Sequence, residues 1–194
     1  MARASDVILV HGNQGTTQTY YKMIRAAQQD DHGKPIVCNE DSPRFTHLKV
    51  AMETRTSWGY YNNHTKQEPP ADWGITRGED QFFAMRMADL LVIKVPALPP
   101  EEQFYFQGFE QELSYQGKRW IRLAALYPER IDSVKFYRNG EFVDMAFEEP
   151  FYIFHHDTWS QGGVAVTGAR EEWTAAITMH SGETIERHAV VEAV

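Results

Sequence analysis

The stretch Lys34-Pro-Ile-Val-Cys-Asn-Glu-Asp-Ser-Pro43 decides the fold of the first half of the chain. Its apolar run, Pro35 to Cys38, has no alternation of polar and apolar residues, which is typical of a strand buried on both faces of a parallel sheet. Asn39 to Asp41 follow at the carboxyl end of that strand, where catalytic and ligand-binding residues of α/β folds lie. Ser42-Pro43 then predicts a helix start, with serine as the cap and proline at the first helical position.

The same strand-then-helix pattern recurs on both sides of this stretch. Val7 to Val10 predicts a strand, and a helix capped by Thr16 or Thr17 follows with an apolar stripe at helical spacing: Tyr20, Met23, Ile24 and Ala27. A helix with Phe45, Leu48 and Met52 on one face, a strand at 56–61 and a helix at 79–91 come next. Helical crossovers make successive strands parallel, so residues 1–95 are predicted to be an α/β domain.

The second half of the chain changes its period. A proline-rich linker is predicted at 96–101, and alternating segments follow, with strands expected at 120–126, 133–137, 150–154, 173–177 and 185–191. Asn139-Gly140, between two such segments, is a strong β-hairpin signal. Short, regularly spaced strands predict a β-sandwich at 102–194.

Charge and composition limit the classes of partner. Residues 1–100 hold 11 basic and 11 acidic residues, whereas 101–194 hold 8 basic and 16 acidic residues. An acidic half argues against binding a nucleic-acid backbone. The apolar run Val7 to Val10 is too short for a signal peptide or a membrane span. No phosphate-binding glycine motif occurs, and no cofactor is expected.

Glu40 is the first candidate for chemistry. A carboxylate at a strand end can attack the anomeric carbon of a sugar or activate water for that attack. The alternative is a structural acid that caps the following helix. Asn39 and Asp41 could orient Glu40 or bind sugar hydroxyls, and Asp41 is equally good as a helix-start residue.

Three further positions have both a functional and a structural interpretation. His11-Gly12 after a strand is similar to the oxyanion loop of α/β-hydrolase esterases, but the Gly-x-Ser-x-Gly elbow that this family requires is missing from the sequence. Trp58 and Tyr60 could stack on a sugar ring, or belong to the core. His155-His156-Asp157 suggests a metal site, yet neighbours on a strand point to opposite faces, so no metal is expected.

Four short motifs, taken in order, resemble a known family. Val7 to Asn13, Lys34 to Pro43, Ser57 to Tyr61 and Asp72 to Ile75 look like the last three βα units of a (β/α)8 barrel of the cellulase-like glycoside hydrolases and their bacterial relatives. In that superfamily a Glu ending the seventh strand is the retaining nucleophile, and a Trp ends the eighth.

The resemblance assigns roles residue by residue. It implies Glu40 as the nucleophile and Trp58 as the strand-ending Trp, with His11 and Asn13 beside the substrate. Some of these relatives carry an immunoglobulin-like domain after the barrel, and 128–143 looks like the start of one. The implied ligand is a carbohydrate. The family is usually exported, and localisation stays open.

The family's acid/base Glu, which ends the fourth strand, has no counterpart here. Three strands cannot close an eight-stranded barrel, so exposed sheet edges could lead to association. We therefore expect a partial barrel followed by an immunoglobulin-like sandwich, a C-terminal portion or degenerate relative without glycosidase activity alone. A non-catalytic carbohydrate-binding protein is the alternative, and an esterase is the third.

Overall fold

The computed structural model describes residues 4–13, 15–61, 77–109, 117–154, 163–165 and 167–193. They divide into two compact units, Met1–Asn63 and His64–Val194. The first is an α/β layer and the second is mainly antiparallel β-structure. The domain limits drawn from the sequence, with a linker at 96–101, stay a prediction. No helix in the described part of the chain has the length and apolar character to cross a bilayer.

The first unit contains three strands and two helices in alternation. They are β1 (Ile8–His11), α1 (Thr17–Gln29), β2 (Ile36–Glu40), α2 (Phe45–Thr54) and β3 (Ser57–Trp58). The strands are parallel, with β2 in the middle. Among the described residues this sheet is open rather than a closed barrel.

Local chemistry explains where the two helices begin. The Oγ1 atom of Thr16 accepts a hydrogen bond from the Thr19 amide (3.2 Å), as predicted for a threonine cap. Helix α2 begins at Phe45 with Arg44 at the cap position, so the predicted start at Ser42-Pro43 is wrong by two residues. The reason is a tight turn, because the Ser42 amide donates to Oδ1 of Asp41 (2.7 Å) instead of entering the helix.

Only one face of the parallel sheet is well covered. Ile36 and Cys38 are buried, together with Ile24 of α1 and Leu48 of α2. On the opposite face Leu9, Val37 and Ser57 align across the three strands, and Leu9 is 61% exposed while Val37 is half-buried. The expectation of burial on both faces is therefore wrong for this layer.

In the described part of the second unit, helix α3 (Asp80–Leu90) comes first and strands follow. These are β4 (Phe104–Gln107), β5 (Lys118–Arg119), β6 (Arg122–Ala125), β7 (Ile131–Arg138), β8 (Glu141–Ala146), β9 (Val164–Ala165), β10 (Glu171–Met179) and β11 (Thr184–Val191). A four-stranded sheet has the order β11-β10-β7-β8, and β4-β6 and β5-β9 form antiparallel pairs. In the predicted strand at 150–154 only Tyr152 forms a bridge, with Arg122.

A single hydrophobic core joins these strands. Phe106 of β4 and Leu123 of β6 belong to the same buried cluster as Phe136 of β7 and Trp173 of β10. The Asn139-Gly140 hairpin is confirmed, and both residues have positive φ (52° and 81°), as the two-residue turn between β7 and β8 requires. The antiparallel layers agree with the β-rich second half, while the immunoglobulin-like topology stays a prediction.

A buried polar cluster connects the start of α3 to the β4-β6 pair. The carboxylate of Glu79 has no exposed surface and lies 3.1 Å from Nη2 of Arg122. The Arg122 Nε atom donates to Oε1 of Gln107 (2.8 Å), whose Nε2 atom donates to the Arg77 carbonyl (2.7 Å). Burial raises the pKa of Glu79 to about 7, although Arg122 opposes this shift.

Candidate functional site

Glu40 lies at the carboxyl end of the middle strand, with its side chain 41% exposed. The pairing of β1 with β2 is regular from Ile8 to Val10, and then shifts so that His11 faces Glu40 instead of Asn39. A bulge of this kind leaves one residue unpaired and re-aims its neighbours. The irregularity therefore sets the side chains of His11 and Glu40 opposite each other at the sheet edge.

Two groups from the end of β1 approach the Glu40 carboxylate. Nδ2 of Asn13 donates to Oε1 of Glu40 (3.1 Å), and Nδ1 of His11 lies 3.9 Å from Oε2. The Gly12 amide also donates to the Glu40 carbonyl (3.0 Å), which holds the loop against the strand end. His11 is 54% exposed, so these three side chains form an accessible cluster of a carboxylate, an amide and an imidazole.

Asn39 does not join this cluster. It is exposed, and its side chain makes no hydrogen bond with the residues that the structure describes. The position is the extra residue of the bulge, which explains its separation from Glu40. The predicted role of Asn39 in orienting Glu40 is not supported by a contact.

Asp41, the other predicted ligand-binding acid, is fully buried. Its Oδ2 atom accepts hydrogen bonds from Nε1 of Trp58 (2.6 Å) and from Nδ1 of His47 (2.7 Å). Its Oδ1 atom accepts from the Ser42 amide (2.7 Å). Since all of these donors belong to the protein and no surface is exposed, Asp41 cannot touch a ligand in this conformation.

Trp58 is held mainly inside the first unit. It is 9% exposed, stacks on Tyr60 at 5.7 Å between ring centroids, and meets Phe45 edge-on at 6.5 Å. Most of its ring surface is therefore in contact with protein, and the core interpretation describes it better than sugar stacking. Tyr60 is half-buried and also meets Phe45 edge-on.

The sequence interpretation missed His47, whose side chain has no exposed surface. Its ring stacks on Tyr20 of α1, with centroids 4.5 Å apart and planes 11° from parallel. A signal was present, because His47, Val50, Ala51 and Thr54 follow helical spacing and all four are buried. A histidine on the buried face of a helix requires a polar partner, which is Asp41.

Burial also affects two neighbouring side chains. Cys38 is the chain's single cysteine, and burial, together with the nearby Asp41 charge, raises the pKa of its thiol. Burial raises the pKa of the Tyr20 hydroxyl as well. Both groups therefore stay protonated near neutral pH, which makes them poor nucleophiles.

Among the described residues, a second accessible carboxylate is not found at this edge of the sheet. Of the described strand ends in the first unit, the carboxylates are Glu40 and Asp41, and only Glu40 is exposed. Within the described ranges no three His, Cys, Asp or Glu side chains converge to hold a metal. His155-His156-Asp157 and the motif Asp72 to Ile75 lie outside the described residues.

Comparison with known proteins gives only distant likenesses. No protein-family model matches the chain. No curated protein sequence matches it either. Among solved structures, 98% of this chain aligns with a β-glucuronidase 2 of Bacteroides uniformis at 9% identity and a TM-score of 0.42, over 26% of that protein. The spore cortex lytic enzyme SleM of Clostridium perfringens aligns at 9% identity and a TM-score of 0.30, over 92% of its length.

These alignments are too weak to establish a shared fold. The chain spans about a quarter of the length of the β-glucuronidase 2, of which a calcium-binding mutant aligns at 8% identity and a TM-score of 0.40. The geometry around Glu40 therefore has to support any functional conclusion by itself.

Proposed function

We propose that the chain is a glycoside hydrolase-like protein of the retaining type, in which Glu40 is the nucleophile. The observation that supports it is the exposed Glu40 carboxylate at the carboxyl end of the middle parallel strand, held by Asn13 and faced by His11. A retaining nucleophile must be ionised, accessible and fixed in direction. The Asn13 amide, which donates to Oε1 of Glu40, supplies the direction.

In this proposal the three-stranded sheet is part of a (β/α)8-type scaffold, and the second unit is an immunoglobulin-like sandwich. Retaining hydrolysis needs two carboxyl groups about 5–5.5 Å apart. The described residues of the first unit offer one accessible carboxylate at the strand ends, because Asp41 is buried. The acid/base group must then come from elsewhere, and the chain alone is not expected to turn over ordinary glycosides.

A turnover assay tests this part of the proposal. The purified chain is incubated with a panel of aryl glycosides, beside Glu40→Gln and the control Glu53→Gln, which alters an exposed carboxylate on α2. The expected result is no release of the aryl group by any of the three proteins. Turnover that is lost only in Glu40→Gln would show a complete catalytic pair within the chain. It would contradict the proposal that the acid/base group comes from elsewhere.

A non-catalytic carbohydrate-binding function is the second candidate, and one feature of the second unit favours it. On one face of the four-stranded sheet, Phe142, Tyr137, Thr174 and His188 follow one another across neighbouring strands. Phe142 is 59% exposed and meets Tyr137 edge-on, and Thr174 hydrogen-bonds to His188 (3.0 Å). An exposed aromatic ring beside polar groups suits the apolar face and the hydroxyls of a sugar.

The two candidates predict different sensitive residues. If the sheet face binds glycans, Phe142→Ala weakens binding to a glycan panel and Asn13→Ala leaves it unchanged. If the strand-end cluster binds the sugar, Asn13→Ala weakens binding instead. Thr184→Ala, on the exposed end of β11, serves as the control for both.

A further inference from the structure

We infer that Asp41 is a positioning residue that fixes the sheet edge from which Glu40 projects. This inference rests on the proposed function only for the role of Glu40 as a nucleophile. The contacts of Asp41 do not depend on that role. Asp41 has no exposed surface, so it acts through other residues and not on a ligand.

The carboxylate of Asp41 joins three separate elements of the first unit. Its Oδ2 atom accepts from Nε1 of Trp58 at the end of β3 (2.6 Å) and from Nδ1 of His47 on α2 (2.7 Å). Its backbone carbonyl accepts from the Tyr61 amide (2.8 Å), just beyond β3. Hydrogen bonds to a buried carboxylate are among the stronger ones, so this single group holds β2, β3 and α2 together.

The loop after β1 is fixed against the same carboxylate by close approach. A Cβ atom built on Gly12 would lie 2.2 Å from Oδ2 of Asp41, so a larger residue here would require the Asp41 carboxylate or the loop to shift. Gly12 lies between His11 and Asn13, the two residues that approach Glu40. A displaced Asp41 carboxylate would therefore move the loop and, with it, the partners of Glu40.

The partners of His47 assign its proton. Nδ1 lies 2.7 Å from the Asp41 carboxylate, whereas Nε2 is buried and has no hydrogen-bond partner among the described residues. A proton on Nε2 would bury an unsatisfied donor, which costs more than an unused lone pair. The structure thus assigns the Nδ1–H tautomer, with the ring held flat against Tyr20.

Two adjacent carboxylates provide a matched test by nuclear magnetic resonance. Asp41→Asn and Glu40→Gln each remove one negative charge, at neighbouring positions, but only the first removes it from the group that accepts from Trp58 and His47. The Trp58 indole N–H signal is identified by its loss in Trp58→Phe. We expect this signal far downfield in the wild type and in Glu40→Gln, and shifted upfield in Asp41→Asn. The Nε2 signal of His47 is expected at the position of an unprotonated ring nitrogen.

Equal indole shifts in both variants, or no shift in Asp41→Asn, would overturn the inference, as would a protonated Nε2 in the wild type. If Asp41→Asn does not fold, Trp58→Phe replaces it. Among the described residues, removing the indole donor leaves His47 as the remaining side-chain donor to Oδ2, so the His47 Nδ1–H signal must move. A failure of Glu40 to act as a nucleophile leaves all of these signals as they are, so it is distinguishable from a failure of the inference.

Discussion

At the residue scale, the site depends on two acids that are adjacent in sequence and opposite in environment. Glu40 is 41% exposed and Asp41 is fully buried. Neighbouring residues at a strand end point to opposite sides, so one carboxylate reaches solvent while the other enters the layer beneath the sheet. The exposed Glu40 is the proposed nucleophile, and the buried Asp41 is the proposed positioning residue.

The first prediction concerns the close approach of Gly12. Gly12→Ala forces a methyl group into the Asp41 carboxylate, at 2.2 Å from Oδ2, and should lower the free energy of unfolding. We expect a loss of about 1–3 kcal/mol, as for other overpacked positions. Gly59→Ala is the control, because its added Cβ would lie 3.6 Å from the Cys38 carbonyl oxygen, which is an ordinary van der Waals distance. Urea unfolding that gives equal losses for the two variants would contradict the close approach.

Sequence reasoning located part of this site and not the rest. The sequence assigns Glu40 as the nucleophile and places His11 and Asn13 beside the substrate, and the parallel pairing of β1 with β2 brings these three side chains near one another. The burial of Asp41 and Trp58 was not predictable, because it depends on how α2 lies under the sheet. The helical spacing of α2 indicates that His47 is buried, but it does not reveal the partner, because Asp41 lies six residues earlier, between β2 and α2.

At the element scale, periodicity predicted the order of strands and helices but not the exact limits. The α1 cap and the Asn139-Gly140 hairpin are confirmed because each depends on local backbone chemistry. The predicted α2 start is wrong because the Ser42 amide donates to the side chain of the preceding residue, Asp41, in a tight turn instead of entering the helix. The segment at 150–154 forms a single bridge, at Tyr152, although its residues suit a strand.

The second prediction concerns Glu79, in the buried polar cluster that connects the start of α3 to the β4-β6 pair. Burial raises the pKa of Glu79 from 4.5 to about 7 in the folded chain, with Arg122 opposing and Asp80 adding to the shift. Between these values the folded chain binds more protons than the unfolded chain. The free energy of unfolding should therefore fall as the pH rises from 4.5 to 7, by up to about 3 kcal/mol.

The substitution Glu79→Gln removes this titration, so the fall in stability over that pH range should disappear. Denaturant unfolding measured across the range checks the result. Glu141→Gln, at an exposed carboxylate, is the control and should keep the wild-type slope. An unchanged slope in Glu79→Gln would rule out Glu79 as the source.

At the scale of the whole molecule, the described residues form an open parallel sheet in the first unit and antiparallel strands around a buried hydrophobic core in the second. The apolar face of the parallel sheet carries Leu9, which is 61% exposed, and β1 is an edge of the described sheet. The second unit buries a continuous cluster from Phe106 to Val191. Open parallel edges are unusual, because they offer unpaired backbone groups to another strand.

The third prediction follows from the position of β1 at the edge of the described parallel sheet. The wild-type chain should associate with itself as its concentration rises, and Leu9→Lys should reduce the association, because a charge beside the edge opposes strand pairing. Tyr21→Lys is the matched control, since Tyr21 is also exposed (40%) but lies on α1. Sedimentation velocity over a concentration series decides the outcome. A wild type that stays monomeric, or equal effects of both variants, would contradict self-association through the edge of the parallel sheet.

The central claim is that Glu40 is a nucleophile, and covalent labelling tests it most directly. A fluorosugar with a fluoride leaving group needs no general acid, so attack by Glu40 does not require the second carboxylate that the described strand ends do not offer. We predict that at least one member of a 2-deoxy-2-fluoroglycosyl fluoride panel adds one sugar mass to the chain. Peptide mass spectrometry should place that mass on Glu40, and Glu40→Gln should not be labelled. No adduct with any member of the panel, or an adduct that persists in Glu40→Gln, would contradict the claim.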